Sequence, residues 1–193
     1  MDVEFDFAER VAVVTGASGT LGGAVVEAFA DAGADVAAVD VVAPDGLPES
    51  ATFYEADLTE EAAVESLFEA VLDDHGRVDH LVNVAGTWRG GTPIDETDEE
   101  TFDLLLDVNL RTTFLATKHA LPHLRETEGT VVSVSARSSL SGGEGDGPYR
   151  AAKAGVRLLT ETVAEENEGT VRANAVMPSV IDTPANREAM PDA

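Results

Sequence analysis

Apolar residues along the chain fall into short, nearly continuous runs, separated by longer stretches in which they recur every three or four positions. The first run, Arg10 to Thr15 (RVAVVT), is rich in β-branched residues and predicts a strand. A glycine-rich turn from Gly16 to Gly23 follows, then an alanine-rich helical stretch from Ala24 to Ala32. The alternation repeats. Asp35 to Asp40 and Thr52 to Asp57 predict strands, and Glu60 to Asp74 predicts a helix whose Ala63, Leu67, Ala70 and Val71 share one face. Val78 to Val84 is the next apolar run, a long amphipathic segment extends from Glu99 to Leu124, and Thr130 to Val134 predicts a fifth strand. After a glycine-rich loop from Ser141 to Gly147 come a helix from about Pro148 to Glu166 and a strand from Val171 to Met177. Six strands alternate with helices and mostly lack in-out alternation of polarity. That pattern predicts a parallel sheet covered on both faces, because parallel neighbours need helical crossovers. The expected fold class is α/β, a doubly wound parallel sheet, in a single domain over residues 1–193.

Charge narrows the partners. The chain carries 37 Asp and Glu against 12 Lys and Arg, a net charge of −25, together with 44% hydrophobic residues. So much apolar content rules out a disordered acidic tail and places the charge on a folded surface. Such a surface repels nucleic-acid phosphates and anionic lipid, so neither is an expected partner. Lys118 and Lys153 are the only lysines beside ten arginines, and together with the acidic excess this predicts a halophilic protein. In molar salt the screening length falls to about 3 Å, against about 10 Å at 0.1 M, and self-repulsion fades. The absence of Cys excludes a disulfide framework and a thiolate nucleophile. The acidic start, from Met1 to Arg10, lacks the basic-then-apolar pattern of a signal peptide, and no apolar run reaches bilayer length, so a cytoplasmic location is expected.

Two motifs carry chemistry. Thr15 to Gly22 (TGASGTLG) lies between the first strand and the first helix, where backbone N–H groups at a helix N-terminus can meet a pyrophosphate. Asp40 ends the second strand, 18 residues past Gly22, where a carboxylate accepts from both ribose hydroxyls and repels a 2′-phosphate, so NAD is expected over NADP. Tyr149 and Lys153 stand at i and i+4, on one face of a helix. An ammonium near a phenol favours phenolate, which suits proton transfer. In a chain with two lysines, one at this position points to a role that requires a compact ammonium.

With these residues in place, the sequence resembles the short-chain dehydrogenase/reductase family, in its single-domain branch, from about Arg10 to Ala185. The resembling segments follow in the family's order: TGASGTLG, Asp40, Asp57-Leu58, NVAG at 83 to 86, VNL at 108 to 110, VVSVSA at 131 to 136, YRAAK at 149 to 153 and PSVIDT at 178 to 183. The resemblance implies a Rossmann fold in which Gly16, Ser18, Gly19, Leu21 and Gly22 surround the cofactor phosphates. By the same resemblance Asp57 and Leu58 meet the adenine, Asn83, Ala85 and Gly86 line the ribose side, and Ile181 and Thr183 contact the nicotinamide amide. Tyr149 would exchange a proton with the oxygen of an alcohol or carbonyl substrate. Lys153 would bind the nicotinamide ribose and lower the Tyr149 pKa, and Asn109 would hold a relay water. The family's helices corresponding to residues 99–124 and 148–166 form a dimer interface, which implies a homodimer or homotetramer.

Three departures from the family pattern shape the expectations. Gly19 and Thr20 stand where the single-domain branch has a non-glycine residue followed by glycine, a spacing shared with sugar-nucleotide-modifying relatives. The family's catalytic serine falls on Ala136, so Ser135, favoured modestly over Ser138, is expected to supply the missing hydroxyl if the backbone kinks as the strand ends. The six strands leave the family's seventh strand unaccounted for, and the C-terminal segment to Ala193 is expected to supply only part of a substrate lid. The leading expectation is an NAD-dependent alcohol–carbonyl oxidoreductase. Its rival is a catalytically weak NAD-binding remnant that needs another chain, and a sugar-nucleotide epimerase or dehydratase is a third reading. Trp88 and Arg89, beyond the fourth strand, face the ligand side of such a sheet, with Arg89 read as a solvated ion-pair partner more than as a substrate contact. His119 and His123 have helical spacing but no third ligand, so no metal site is expected.

Overall fold

The computed structural model describes residues 5–189. The strands are β1 (Val11–Thr15), β2 (Asp35–Asp40), β3 (Ala51–Glu55), β4 (His80–Asn83), β5 (Thr130–Val134) and β6 (Arg172–Val176). They form one parallel sheet in the order β3-β2-β1-β4-β5-β6. The helices are α1 (Thr20–Asp31), α2 (Glu61–His75), α3 (Glu99–Leu106), α4 (Thr112–Thr127), α5 (Gly147–Glu166) and α6 (Pro184–Ala189). The expected doubly wound α/β fold is therefore the observed one. Residues 190–193, the last part of the expected lid fragment, lie outside the described residues.

Every β1 residue is buried, and alternate side chains serve opposite layers. Val11, Val13, Ala37 and Val39 face α2 and α4, where Val64, Leu67, Leu115 and Leu124 complete the larger core. Val14, Val36 and Ala38 face the smaller layer around Val26 of α1. At the N-terminal edge of the sheet the Asp79 carboxylate is buried. It accepts hydrogen bonds from Arg10 Nη1 (2.8 Å), Arg77 Nε and Nη2 (2.7 and 2.6 Å) and the Val11 amide (3.0 Å), tying β1 to β4 at the end opposite the glycine turn.

Most element ends fall within two residues of the sequence reading, and two differences go further. Helix α1 starts at Thr20 and takes Gly22 and Gly23 into its first turns, so the glycine run is half turn and half helix. The amphipathic segment from Glu99 is not one regular helix: a π-turn at Asp107–Arg111 separates α3 from α4. Sequence order reverses between β1 and β4, the switch point beyond whose C-terminal ends a doubly wound sheet leaves a crevice.

Candidate active site

The crevice begins at the glycine turn. Gly16 has φ +69°, and a Cβ on it would come within 2.8 Å of the Ala85 amide nitrogen. A Cβ on Gly22 would lie 1.9 Å from the Gly16 carbonyl oxygen, so α1 packs against the turn only because position 22 has no side chain. Gly19 caps α1 without a side-chain hydrogen bond, which leaves the first amides of the helix open. Across the turn, Thr15 Oγ1 accepts from the Val84 and Ala85 amides at 3.0 and 3.1 Å and fixes the loop beyond β4.

Asp40 is held rigidly. Its Oδ2 accepts from the Ser18 amide (3.0 Å) and hydroxyl (2.6 Å), and its Oδ1 from the Val41 amide (2.7 Å). Asp57 accepts from the Thr59 hydroxyl and amide, and these hydrogen bonds hold its carboxyl below the usual range. Leu58 is buried beside it.

At the inner end of the crevice, Gly86, Asn109, Tyr149 and Lys153 converge. The π-turn buries Asn109 completely. Its Oδ1 accepts from the Thr87 amide (3.2 Å), and its Nδ2 donates to the carbonyls of Thr87 (2.9 Å) and Leu105 (3.0 Å). A Cβ on Gly86 would lie 2.7 Å from Asn109 Oδ1 and 3.1 Å from Lys153 Nζ, so the two polar groups flank one glycine surface. Lys153 Nζ donates to the Val134 carbonyl (2.9 Å) and stands 6.0 Å from the centre of the Tyr149 ring. Burial draws the Lys153 ammonium down to about 8. The whole crevice has a volume of about 570 Å³, and Ile181 and Thr183 complete its rim.

A family model described as short chain dehydrogenase matches residues 10–193. The chain belongs to the short-chain dehydrogenase family. L-fucose dehydrogenase of Oryctolagus cuniculus is 35% identical over 188 residues, covering 94% of this chain and 66% of its own length. A 3-oxoacyl-(acyl-carrier-protein) reductase of Thermotoga maritima is 34% identical over 186 residues, covering 91% of this chain and 75% of its own. The ligand-free aldohexose dehydrogenase of Thermoplasma acidophilum superposes with a TM-score of 0.90 at 29% identity, over 95% of this chain and 71% of that one. The chain thus spans about two thirds to three quarters of the length of these relatives.

Not every expected residue reaches the short-chain dehydrogenase crevice. The Asn83 side chain turns inward, donating from Nδ2 to Thr117 Oγ1 (3.1 Å) and Ser133 Oγ (3.3 Å), because β4 is covered by α4 at that point. Ser135 also departs from expectation. Ala136 stays extended (φ −151°, ψ 148°), so no kink rotates Ser135 toward the crevice, and its buried hydroxyl donates to the Lys153 carbonyl (2.7 Å). The Tyr149 phenol is pushed up rather than down, first by burial and then by the Asp146 carboxylate. Arg89 forms no ion pair among the described residues. No group of three His, Cys, Asp or Glu among the described residues could hold a metal. Asn186 lines the crevice and was missed. Its Nδ2 donates to the Ile181 carbonyl (2.8 Å) and its amide donates to Thr183 Oγ1 (3.1 Å). Thr183-Pro184, a capping residue followed by proline at the first helical position, was the available signal for that short helix.

The short-chain dehydrogenase crevice fits a dinucleotide. Gly16 and Gly22 leave a cradle that a single Cβ would fill, the open amides of α1 border it, and the fixed Asp40 carboxylate stands at the end of β2.

Proposed function

We propose that this chain is an NAD-preferring oxidoreductase that interconverts a secondary alcohol and a carbonyl, with Tyr149 exchanging the proton at the substrate oxygen. The observation that carries the reading is the convergence of Tyr149, Lys153, Asn109 and Gly86 at the inner end of a crevice that starts at the Gly16–Gly22 cradle. Bound nicotinamide supplies or takes up the hydride. The chain does the rest. The open amides of α1, with Gly16, Ser18, Gly19, Leu21 and Gly22, hold the phosphates, and Asp40 accepts from an adenosine ribose hydroxyl at the Oδ1 lone pair that Ser18 and Val41 leave available. Asp57, Leu58, Ala85 and Gly86 border the adenosine side, while Ile181 and Thr183 border the nicotinamide side.

The half-buried phenol of Tyr149 is protonated at neutral pH, the form that donates to a carbonyl oxygen during reduction. Lys153, charged below about pH 8, presents the protons not engaged by Val134 to the ribose and favours phenolate in the oxidative direction. Asn109, clamped by Thr87 and Leu105, positions the water through which the Lys153 proton is replaced. Ala136 presents no hydroxyl, so Tyr149 is the principal donor to the substrate oxygen. Exposed Phe114 and Leu158, which flank an apolar groove between α4 and α5, support a homodimer or homotetramer. No described helix is long and apolar enough to cross a membrane.

The test is titration with NADH and NADPH, followed by nucleotide fluorescence, for the wild type and Asp40→Ala. Tight NADH and weak NADPH binding by the wild type, with the difference lost in the variant, is expected. Equal binding of the two cofactors by the wild type refutes the preference, and binding of neither refutes the function.

A further inference from the structure

The crevice does not end at Tyr149. A second cavity of about 400 Å³ opens beyond Trp88, lined by Arg89, Thr92, Thr97, Leu105 and Pro148, and Trp88 borders both spaces. Its walls are fixed by the chain itself. The Gly145 carbonyl accepts from the Gly91 amide (2.7 Å) and the Thr92 amide (3.2 Å), joining the loop after β4 to the loop before α5. Arg150 pairs with Asp146 and donates to the carbonyls of Ser138 (3.0 Å) and Ser141 (3.1 Å), which holds that second loop against α5. Gly90 makes room for the indole, since a Cβ there would approach Trp88 Cζ2 to 2.6 Å. The cavity is therefore preformed, and its size is that of a small-molecule site.

Its lining is selective. Trp88, Leu105 and Pro148 offer apolar surface, and Arg89 is the only charged residue among the lining side chains. Among the described residues, six of the ten arginines form ion pairs with carboxylates. Arg89 forms none and donates no hydrogen bond among the described residues, although the chain has 37 acidic residues to offer. The nearby Asp98 carboxylate, which the Arg89 charge attracts without forming an ion pair, accepts from the Thr101 amide (2.6 Å) as the cap of α3. A protein of net charge −25 repels anions in general, and a guanidinium at the exposed wall of a cavity, without an ion-pair partner among the described residues, reverses that locally. The guanidinium fork matches the two oxygens of a carboxylate.

We infer that the second cavity binds a carboxylate of the substrate at Arg89, so that the substrate is a compact oxo or hydroxy acid whose reacting carbon lies at Tyr149 and whose chain passes over Trp88. The reacting end rests on the oxidoreductase reading above; the acid end rests on the Arg89 cavity alone.

Trp88 is the single tryptophan of the chain, so its fluorescence reports occupancy without turnover. The probes are 4-oxopentanoate and 4-oxopentanamide, which differ by one charge. They are titrated into wild type, Arg89→Gln and Arg89→Lys at the lowest KCl that keeps each chain folded by circular dichroism, because salt screens the pair. In the wild type the acid is expected to bind at least about tenfold more tightly than the amide. Arg89→Gln should erase that preference and Arg89→Lys should restore part of it. Equal binding of acid and amide, a preference retained in Arg89→Gln, or no saturable change with the acid overturns the inference. NADH oxidation with both probes and with neutral ketones is followed in parallel. Turnover without an acid preference overturns this inference and leaves the oxidoreductase reading standing. Acid-selective binding without oxidation of NADH by any ketone does the reverse.

Discussion

Replacing Gly86 with alanine tests whether Asn109 and Lys153 are positioned by the empty surface between them. The added methyl would stand 2.7 Å from Asn109 Oδ1 and 3.1 Å from Lys153 Nζ, inside ordinary contact distance for both. Asn109 cannot yield, because it is fully buried and held by three hydrogen bonds to Thr87 and Leu105. The strain therefore falls on Lys153 and on the Val84–Thr87 loop. Overpacking of this kind costs about 1–3 kcal/mol. In a chain of this length each kcal/mol lowers the melting temperature by roughly 2–4 °C, which gives a drop of about 2–12 °C. The functional loss is larger, since a catalytic group displaced by a fraction of an ångström to an ångström loses about ten- to a hundredfold in kcat/KM. Thermal melting by circular dichroism, NADH titration and carbonyl-reduction kinetics read the three quantities. Gly46→Ala is the control, because nothing lies within 4 Å of a Cβ at that position and its backbone is ordinary. A Gly86→Ala protein that melts, binds NADH and turns over like the Gly46→Ala control refutes the reasoning.

Three further outcomes are expected. Because burial lowers Lys153 to about 8, the folded chain binds that proton less tightly than the unfolded chain does. The stability deficit of wild type relative to Lys153→Met, read by denaturant titration, should shrink as pH rises from about 8 toward 10, and NADH affinity should weaken over the same interval. A pH-independent deficit contradicts this. Ser135→Ala removes the donation to the Lys153 carbonyl and should cost about 0.5–1.5 kcal/mol while kcat/KM stays within about threefold. A hundredfold fall in kcat/KM at unchanged melting temperature would restore Ser135 to the reaction. Raising KCl from 0.1 to 2 M should lift the melting temperature by roughly 10 °C or more if self-repulsion of the −25 charge is the dominant strain at low salt, and a flat response rules out halophily.

What the sequence revealed and what it hid divide along physical lines. The central strands β1 and β2 are legible as short apolar runs buried on both faces, and β5 coincides with its predicted range although its buried and part-buried positions alternate, whereas the edge strands β3 and β6 have no buried residue. The start of α1 was misplaced because glycine is a poor helix former in isolation. Here the tertiary contact of Gly22 with the Gly16 carbonyl, not propensity, decides the boundary. The π-turn is not marked in the sequence by a glycine or proline, and only the fold shows the wider turn that brings Asn109 inward to Thr87.

Tyr149 and Lys153 could be paired from spacing alone, but their electrostatics could not. The sequence places an ammonium four residues from a phenol and predicts a lowered phenol pKa. The fold buries the ring, sets Asp146 beside it and turns Lys153 Nζ to the Val134 carbonyl, 6.0 Å from the ring centre. Burial opposes the charged form of each group, raising one pKa and lowering the other, so the chain on its own stores a neutral phenol and an easily deprotonated lysine side by side. The same limit explains Arg89. On a surface this acidic, sequence statistics favour an ion pair, and only the fold shows that α3 takes the neighbouring Asp98 as its cap and leaves the guanidinium facing a cavity.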